Sequence, residues 1–303
     1  MALRRMTTIT AGLTLTVLGL SACGGGASEA PAGDGQGSAG AGQKKEITIG
    51  YIPWDEDIAV THLWERVLTD KGYTVTTKQL DVAPTFVGLA QGDIDLYLDG
   101  WLPVTHEDYW KKYGDKIEDV QTWYDNAKLT IAVPEYMTDV KSIADLKGKG
   151  NTFKGRIIGI EPGAGLTRVT KDAAMPKYGL DGEYQLVTSS TAAMLAELKK
   201  ATDAKEPIVV TLWRPHWAYD KFPIRDLEDP EGAMGEAEQI KALGREGFGK
   251  DYPEVDAMLK KFTMDDKELG SLENLVLQEN KDDPAKGVEE WLKEYPDFVT
   301  SLD

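Results

Sequence analysis

From residue 44 onward the chain switches between two hydrophobic periods. Residues 46–51 alternate apolar and polar positions, the pattern of a half-buried strand. Residues 58–70 place Ala59, Leu63 and Val67 on one helical face, and Gly72 supplies the stop. Residues 73–80 read as a strand, 84–90 as a short helix and 94–98 as a short strand. Further strands are predicted at 128–133, 156–160, 184–187 and 208–212, with helices at 165–178 and 191–200 between them. Strands alternating with helices imply an α/β fold with a mostly parallel sheet and helices on its faces.

The last part of the chain changes character. Residues 252–261, 265–280 and 284–295 read as consecutive helices. Such a tail can fold back on the first half. Cutting the body near Leu129 and again near Trp213 gives a discontinuous lobe 1, residues 44–129 plus 214–303, and a continuous lobe 2, residues 130–213. Two crossings between lobes make a hinge, and a cleft between lobes is a common ligand site. The body lacks an internal repeat.

The first residues read as an address. Arg4 and Arg5 precede an uncharged run from Met6 to Leu20, which closes in Leu20-Ser21-Ala22-Cys23. That is the layout of a secretory signal at 1–22, too short and wrongly flanked for a membrane span. The closing tetrad resembles a lipobox, and Cys23 is the only cysteine in 303 residues. Acylation there would attach the mature chain to membrane lipid, firmly if more than one acyl chain is added. Residues 23–43 then form a flexible tether of Gly, Ala, Ser, Pro and Gln, charged only at Glu29 and Asp34. The expected location is extracytoplasmic and lipid-anchored.

One cysteine leaves no internal disulfide, so the body relies on its hydrophobic core. The net charge is −17, and removal of the signal takes away Arg4 and Arg5 and no acid. A body this acidic argues against nucleic acid binding. Solubility accounts for the acidity.

Candidate chemistry gathers in four stretches that each follow a predicted strand: Tyr51-Ile52-Pro53-Trp54-Asp55-Glu56, Asp99-Gly100-Trp101-Leu102-Pro103-Val104-Thr105-His106, Glu161-Pro162-Gly163-Ala164-Gly165-Leu166-Thr167 and Leu212-Trp213-Arg214-Pro215-His216-Trp217. Ligands of open α/β sheets collect at such strand ends. Indole faces attract cations that have no hydrogen to donate, so Trp54, Trp101 and Trp213 are cage candidates. Any one of them taken alone also fits plain packing. Trp64, Trp110, Trp123 and Trp291 fit packing, and Trp217 fits either group. The Pro162–Thr167 turn opens a predicted helix whose free N–H groups suit an anion, though a ligand-free structural turn fits as well. Arg168 replaces the third glycine of a dinucleotide fingerprint, and a P-loop Lys is missing. His106 can donate to the same anion, whereas His62 falls within a helix. Three scattered His make a metal site unexpected, and no nucleophile elbow or cofactor motif appears. An enzyme is therefore not expected.

Together the stretches resemble the glycine betaine-binding proteins of ABC importers, the Opu-type substrate-binding family. The likeness rests on Pro53-Trp54-Asp55, on Gly100-Trp101-Leu102-Pro103-Val104-Thr105-His106, on Gly159-Ile160-Glu161-Pro162-Gly163-Ala164-Gly165 and on Trp213-Arg214-Pro215-His216-Trp217. Val133-Pro134-Glu135-Tyr136-Met137 and Leu227-Glu228-Asp229-Pro230 also look like family features. The resemblance implies two α/β lobes of the type II periplasmic-binding-protein kind, closing on the ligand like a hinged trap. It implies a Trp cage for a quaternary ammonium at Trp54, Trp101 and Trp213. It implies a carboxylate held by the N–H groups of Gly165 and Leu166 and by His106. Some relatives carry the two halves in the opposite order; here the Trp54 and Trp101 half comes first.

The expectation is a binding component that delivers glycine betaine to an ABC transporter permease, with no cofactor. Choline, carnitine, proline betaine and ectoine are alternative ligands, and a ligand sensor docking on a receptor is an alternative role. Choline lacks a carboxylate, so it would leave Gly165, Leu166 and His106 without their task.

Overall fold

The computed structural model describes residues 44–303, and the expectations for the signal, Cys23 and the tether lie outside them. Strand β1 (Glu46–Tyr51) turns Ile47 and Ile49 into the core and pairs in parallel with β2 (Thr74–Gln79) and with β3 (Leu96–Leu102). Helix α1 (Asp55–Asp70) begins with Asp55, Glu56 and Asp57, which suit the positive end of the helix. All three are nonetheless buried, a rare place for acids. Its core face carries Ala59, Leu63, Trp64 and Val67. Helix α2 (Val82–Gln91) ends on Gly92 at φ 83°, a left-handed cap that glycine takes without strain. Every residue of β3 is buried, so this strand runs through the middle of the fold.

After α3 (Glu107–Tyr113) comes β4 (Ile117–Pro134), 18 residues long. It is followed by β5 (Arg156–Ile158), by α4 (Gly165–Val169) continuing through a π-helical turn into α5 (Met175–Lys177), by β6 (Gln185–Val187) and by α6 (Thr191–Ala204). Then come β7 (Val210–Arg214), α7 (Ala218–Lys221), β8 (Ile224–Asp226) and β9 (Glu238–Arg245). The sheet order is β2-β1-β3-β9-β4-β7-β5-β6, with β8 beside β4. Strand β4 changes partners midway. Its first part, through Ala127, pairs with β9, and from Lys128 onward it pairs with β7 and β8. Three register shifts between Asp119 and Ala127 bend it through that change. One strand thus joins two sub-sheets.

One expectation is corrected. The sheet is mixed: β9 runs antiparallel to β3 and β4, and β4 antiparallel to β7 and β8. Strand β8 pairs with Ala132–Pro134 of the second sub-sheet. The tail does fold back. Helices α8 (Phe248–Asp251), α9 (Pro253–Leu259), α10 (Asp266–Glu273), α11 (Pro284–Glu294) and α12 (Phe298–Ser301) follow β9, and α10 and α11 pack on α1. Trp64, Trp123 and Trp291 are fully buried there, as expected of packing residues.

Candidate functional site

The ends of β1, β3 and β7 and the turn before α4 meet around one cavity. Trp54 caps α1 with extended backbone, Trp101 lies in β3 and Trp213 in β7. With Glu56, Thr105, Leu129, Ile160, Ala164 and Leu166 they line about 270 Å³. All three expected cage tryptophans are brought together, and each is at least 95% buried.

Each indole is tethered by its N–H to a carboxylate. Trp54 Nε1 donates to Glu161 Oε2 at 3.2 Å, Trp101 Nε1 to Asp99 Oδ1 at 2.8 Å, and Trp213 Nε1 to Glu56 Oε2 at 2.8 Å. Glu161 is itself fixed by the N–H and hydroxyl of Thr191. These bonds lock ring orientation. Trp217 takes another place. Its N–H groups go to Glu273 and to Asp55, and it lines a separate cavity with Tyr124, Arg214 and His216. Of the two candidates in that stretch, Trp213 faces the cage.

The opposite side of the cavity is the glycine turn. Leu166 lines it, and α4 begins at Gly165 with no side chain capping its first N–H groups. A Cβ on Gly165 would lie 2.0 Å from Thr105 O, so only glycine permits this approach of the turn to the loop after β3. Glu238 holds that loop from behind, accepting from the N–H groups of Val104 and Thr105 and from the Thr105 hydroxyl. From the front, Arg168 donates to Val104 O at 2.7 Å and Tyr109 donates to Gly163 O at 3.1 Å.

His106 stands behind Trp54, its ring stacked at 5.7 Å, and is not among the residues lining the cavity. Its Nδ1 accepts from the Trp101 N–H, which leaves the proton on Nε2. Burial pushes it down to about 3, so it is neutral at pH 7. Nε2 is buried with no partner among the described residues.

The residue that sequence reasoning passed over is Glu56. It lines the cavity, its carboxyl group accepts from the Trp213 indole, and burial pushes it up to about 8. Its signal was its place two residues after Trp54, but it was one acid among 51. Thr105, Leu129, Ile160 and Ala164 were also missed as lining residues. An apolar aromatic box beside a buried carboxyl group suits a cation without N–H groups.

Residues 45–294 match the family described as the substrate-binding domain of ABC-type glycine betaine transport systems. A glycine betaine/carnitine transport binding protein of Listeria monocytogenes is 37% identical over 154 residues, half of this chain and half of that protein's own length. Among solved structures, a glycine betaine/L-proline-binding protein of Borrelia burgdorferi has TM-score 0.79 and 31% identity, covering 86% of this chain and all of that one. The lactococcal OpuAC structure, closed with glycine betaine, has TM-score 0.79 and 32% identity over 86% of this chain and 99% of the other. A choline-binding protein solved with choline has TM-score 0.78 and 25% identity, covering 85% and 91%. The fold is accordingly the mixed α/β, two-lobed type II fold of periplasmic binding proteins. With its matched span covering most of the body, this chain belongs to the family of substrate-binding domains of ABC-type glycine betaine transport systems.

Proposed function

We propose that this chain is the extracytoplasmic substrate-binding component of an ABC importer and that it captures glycine betaine or a related quaternary ammonium solute between Trp54, Trp101 and Trp213. The observation that carries the reading is three buried indoles around one cavity, each fixed through its N–H to a carboxyl oxygen. Each cation–π contact contributes about 0.5–2 kcal/mol when desolvated. The ligand carboxylate is assigned to the N–H groups of Gly165 and Leu166 and to His106 Nε2, whose unpartnered N–H supports that role.

Strand pairing supports lobes that divide at residues 127–128 and again between β8 and β9, within 227–237. Trp54 and Trp101 then stand on one lobe and Trp213 and the glycine turn on the other. The ligand bridges them and favours closure. Delivery passes to a membrane permease, and acylation at Cys23 keeps the protein beside it. The chain performs no catalysis on its ligand.

Calorimetric titration of the body with glycine betaine and then choline tests the assignment. Tight glycine betaine binding with weak choline binding supports both ends of the site. Equal or tighter choline binding, as the choline-binding relative's name invites, keeps the cage and removes the carboxylate role from Gly165, Leu166 and His106. Binding of neither excludes these two ligands, and failure of every quaternary ammonium solute to bind overturns the proposal.

A further inference from the structure

The carboxylates around and beneath the cage outnumber the bases that face them. Glu56 lines the cavity, is 1% exposed and accepts from the Trp213 indole at 2.8 Å. From its own helix α1, Asp55 and Asp57 face it. From β3 come Tyr97 and Asp99, and from α10 comes Glu273, which Asp220 of α7 faces in turn. The base in this group is His216, whose Nε2 lies 3.1 Å from Asp55 Oδ2. Asp99 Oδ2, Glu273 Oε1 and the Tyr97 hydroxyl are buried without a hydrogen-bond partner among the described residues.

Buried carboxylates in such number cannot all be ionised, because desolvation and mutual repulsion both oppose the charged form. Burial is the largest influence on Glu56 and raises it to about 8; its own backbone N–H and the Trp213 N–H oppose the rise, and Asp55 and Asp57 add to it. Glu56 differs from the others in one respect: it meets the cavity. A permanent cation placed among the three indoles stands beside this carboxyl and supplies the countercharge that the protein withholds.

Building on the quaternary ammonium reading above, we infer that Glu56 carries a proton while the cage holds no cation and releases it to solvent when one enters. The exchange balances. The Glu56 O–H bond breaks, its electron pair stays on the carboxylate, buffer takes the proton, and the ligand's fixed charge replaces it. Glu56 thereby makes the cage selective for permanent cations over neutral molecules of the same shape, and it couples affinity to pH. Above the value of the unliganded carboxyl, affinity is at its plateau. Below it, each pH unit weakens binding by about tenfold until the complex itself takes up the proton.

The test is calorimetric titration with glycine betaine near pH 7 in two buffers of different ionisation enthalpy, repeated from about pH 6 to about pH 9. Release of most of a proton, with affinity rising toward alkaline pH, is the expected result. Glu56→Gln keeps an acceptor for the Trp213 N–H; it should abolish the release and flatten the pH profile. Wild-type binding with no proton exchange and unchanged affinity overturns the inference and leaves the proposed function standing. Undiminished release from Glu56→Gln also overturns it, since another carboxyl would then be the source. Failure of any quaternary ammonium to bind at any pH overturns the proposed function, and this inference with it.

Discussion

The three cage tryptophans are equivalent in kind but not in support. Trp101 lies in a strand buried along its whole length, so its removal leaves the backbone in place. Trp101→Ala should weaken glycine betaine binding by at least about 2 kcal/mol, roughly thirtyfold, as calorimetry would read it. Trp217→Phe should change affinity less than about threefold, because that ring lines another cavity and loses only its bond to Asp55. Trp291 touches Tyr295 and Phe298 and does not line the cavity. Trp291→Phe should lower the melting temperature and leave affinity alone. The meeting of the three tryptophans was legible in the sequence because each stood just after a predicted strand. Glu56 was not legible, because a carboxylate announces nothing until its burial is known. Nor could residue type separate Trp213 from Trp217; strand pairing sets Trp213 opposite Leu129, and both line the cavity.

At the scale of elements, the site depends on how closely the glycine turn approaches the loop after β3. Gly165→Ala places a methyl on Thr105 O and should force the two apart, costing at least about a hundredfold in affinity while circular dichroism stays unchanged. Unaltered affinity would show that the turn does not close the cage. The helix-opening turn was readable from its glycines; its partner loop was not, since the contact is distant in sequence. Strand β9 was also missed. Glu238, Gln239, Lys241, Ala242 and Gly244 are weak strand formers, held in place by pairing on both sides. The first part of β4 was missed for a related reason. Three register shifts break the two-residue alternation by which a strand is recognised. The mixed sheet follows from these two unseen strands.

For the whole molecule, buried ionisable groups set the pH range of stability. Glu56 and Asp57 are each pushed up to about 8, chiefly by burial, and Asp99 and Glu273 are also raised. Their folded values exceed the unfolded ones near 4, so the stability they favour is present at low pH and is lost as pH rises through about 8. His106 acts the other way. Burial holds it at about 3, so stability falls as pH drops below about 6.5. Four raised carboxyls outweigh the one lowered imidazole between about pH 4 and 6.5, so without ligand the melting temperature should peak near about pH 4 and fall by about 5 °C or more by about pH 9. A flat profile over that range would contradict the assigned burial.

The central claim is the place of the ligand, and a crystal structure of the protein with glycine betaine addresses it most directly. The account expects the trimethylammonium group among Trp54, Trp101 and Trp213, beside Glu56, with the carboxylate on the N–H groups of Gly165 and Leu166. Density for the ligand anywhere else, or an ammonium group out of contact with these three rings, would contradict it.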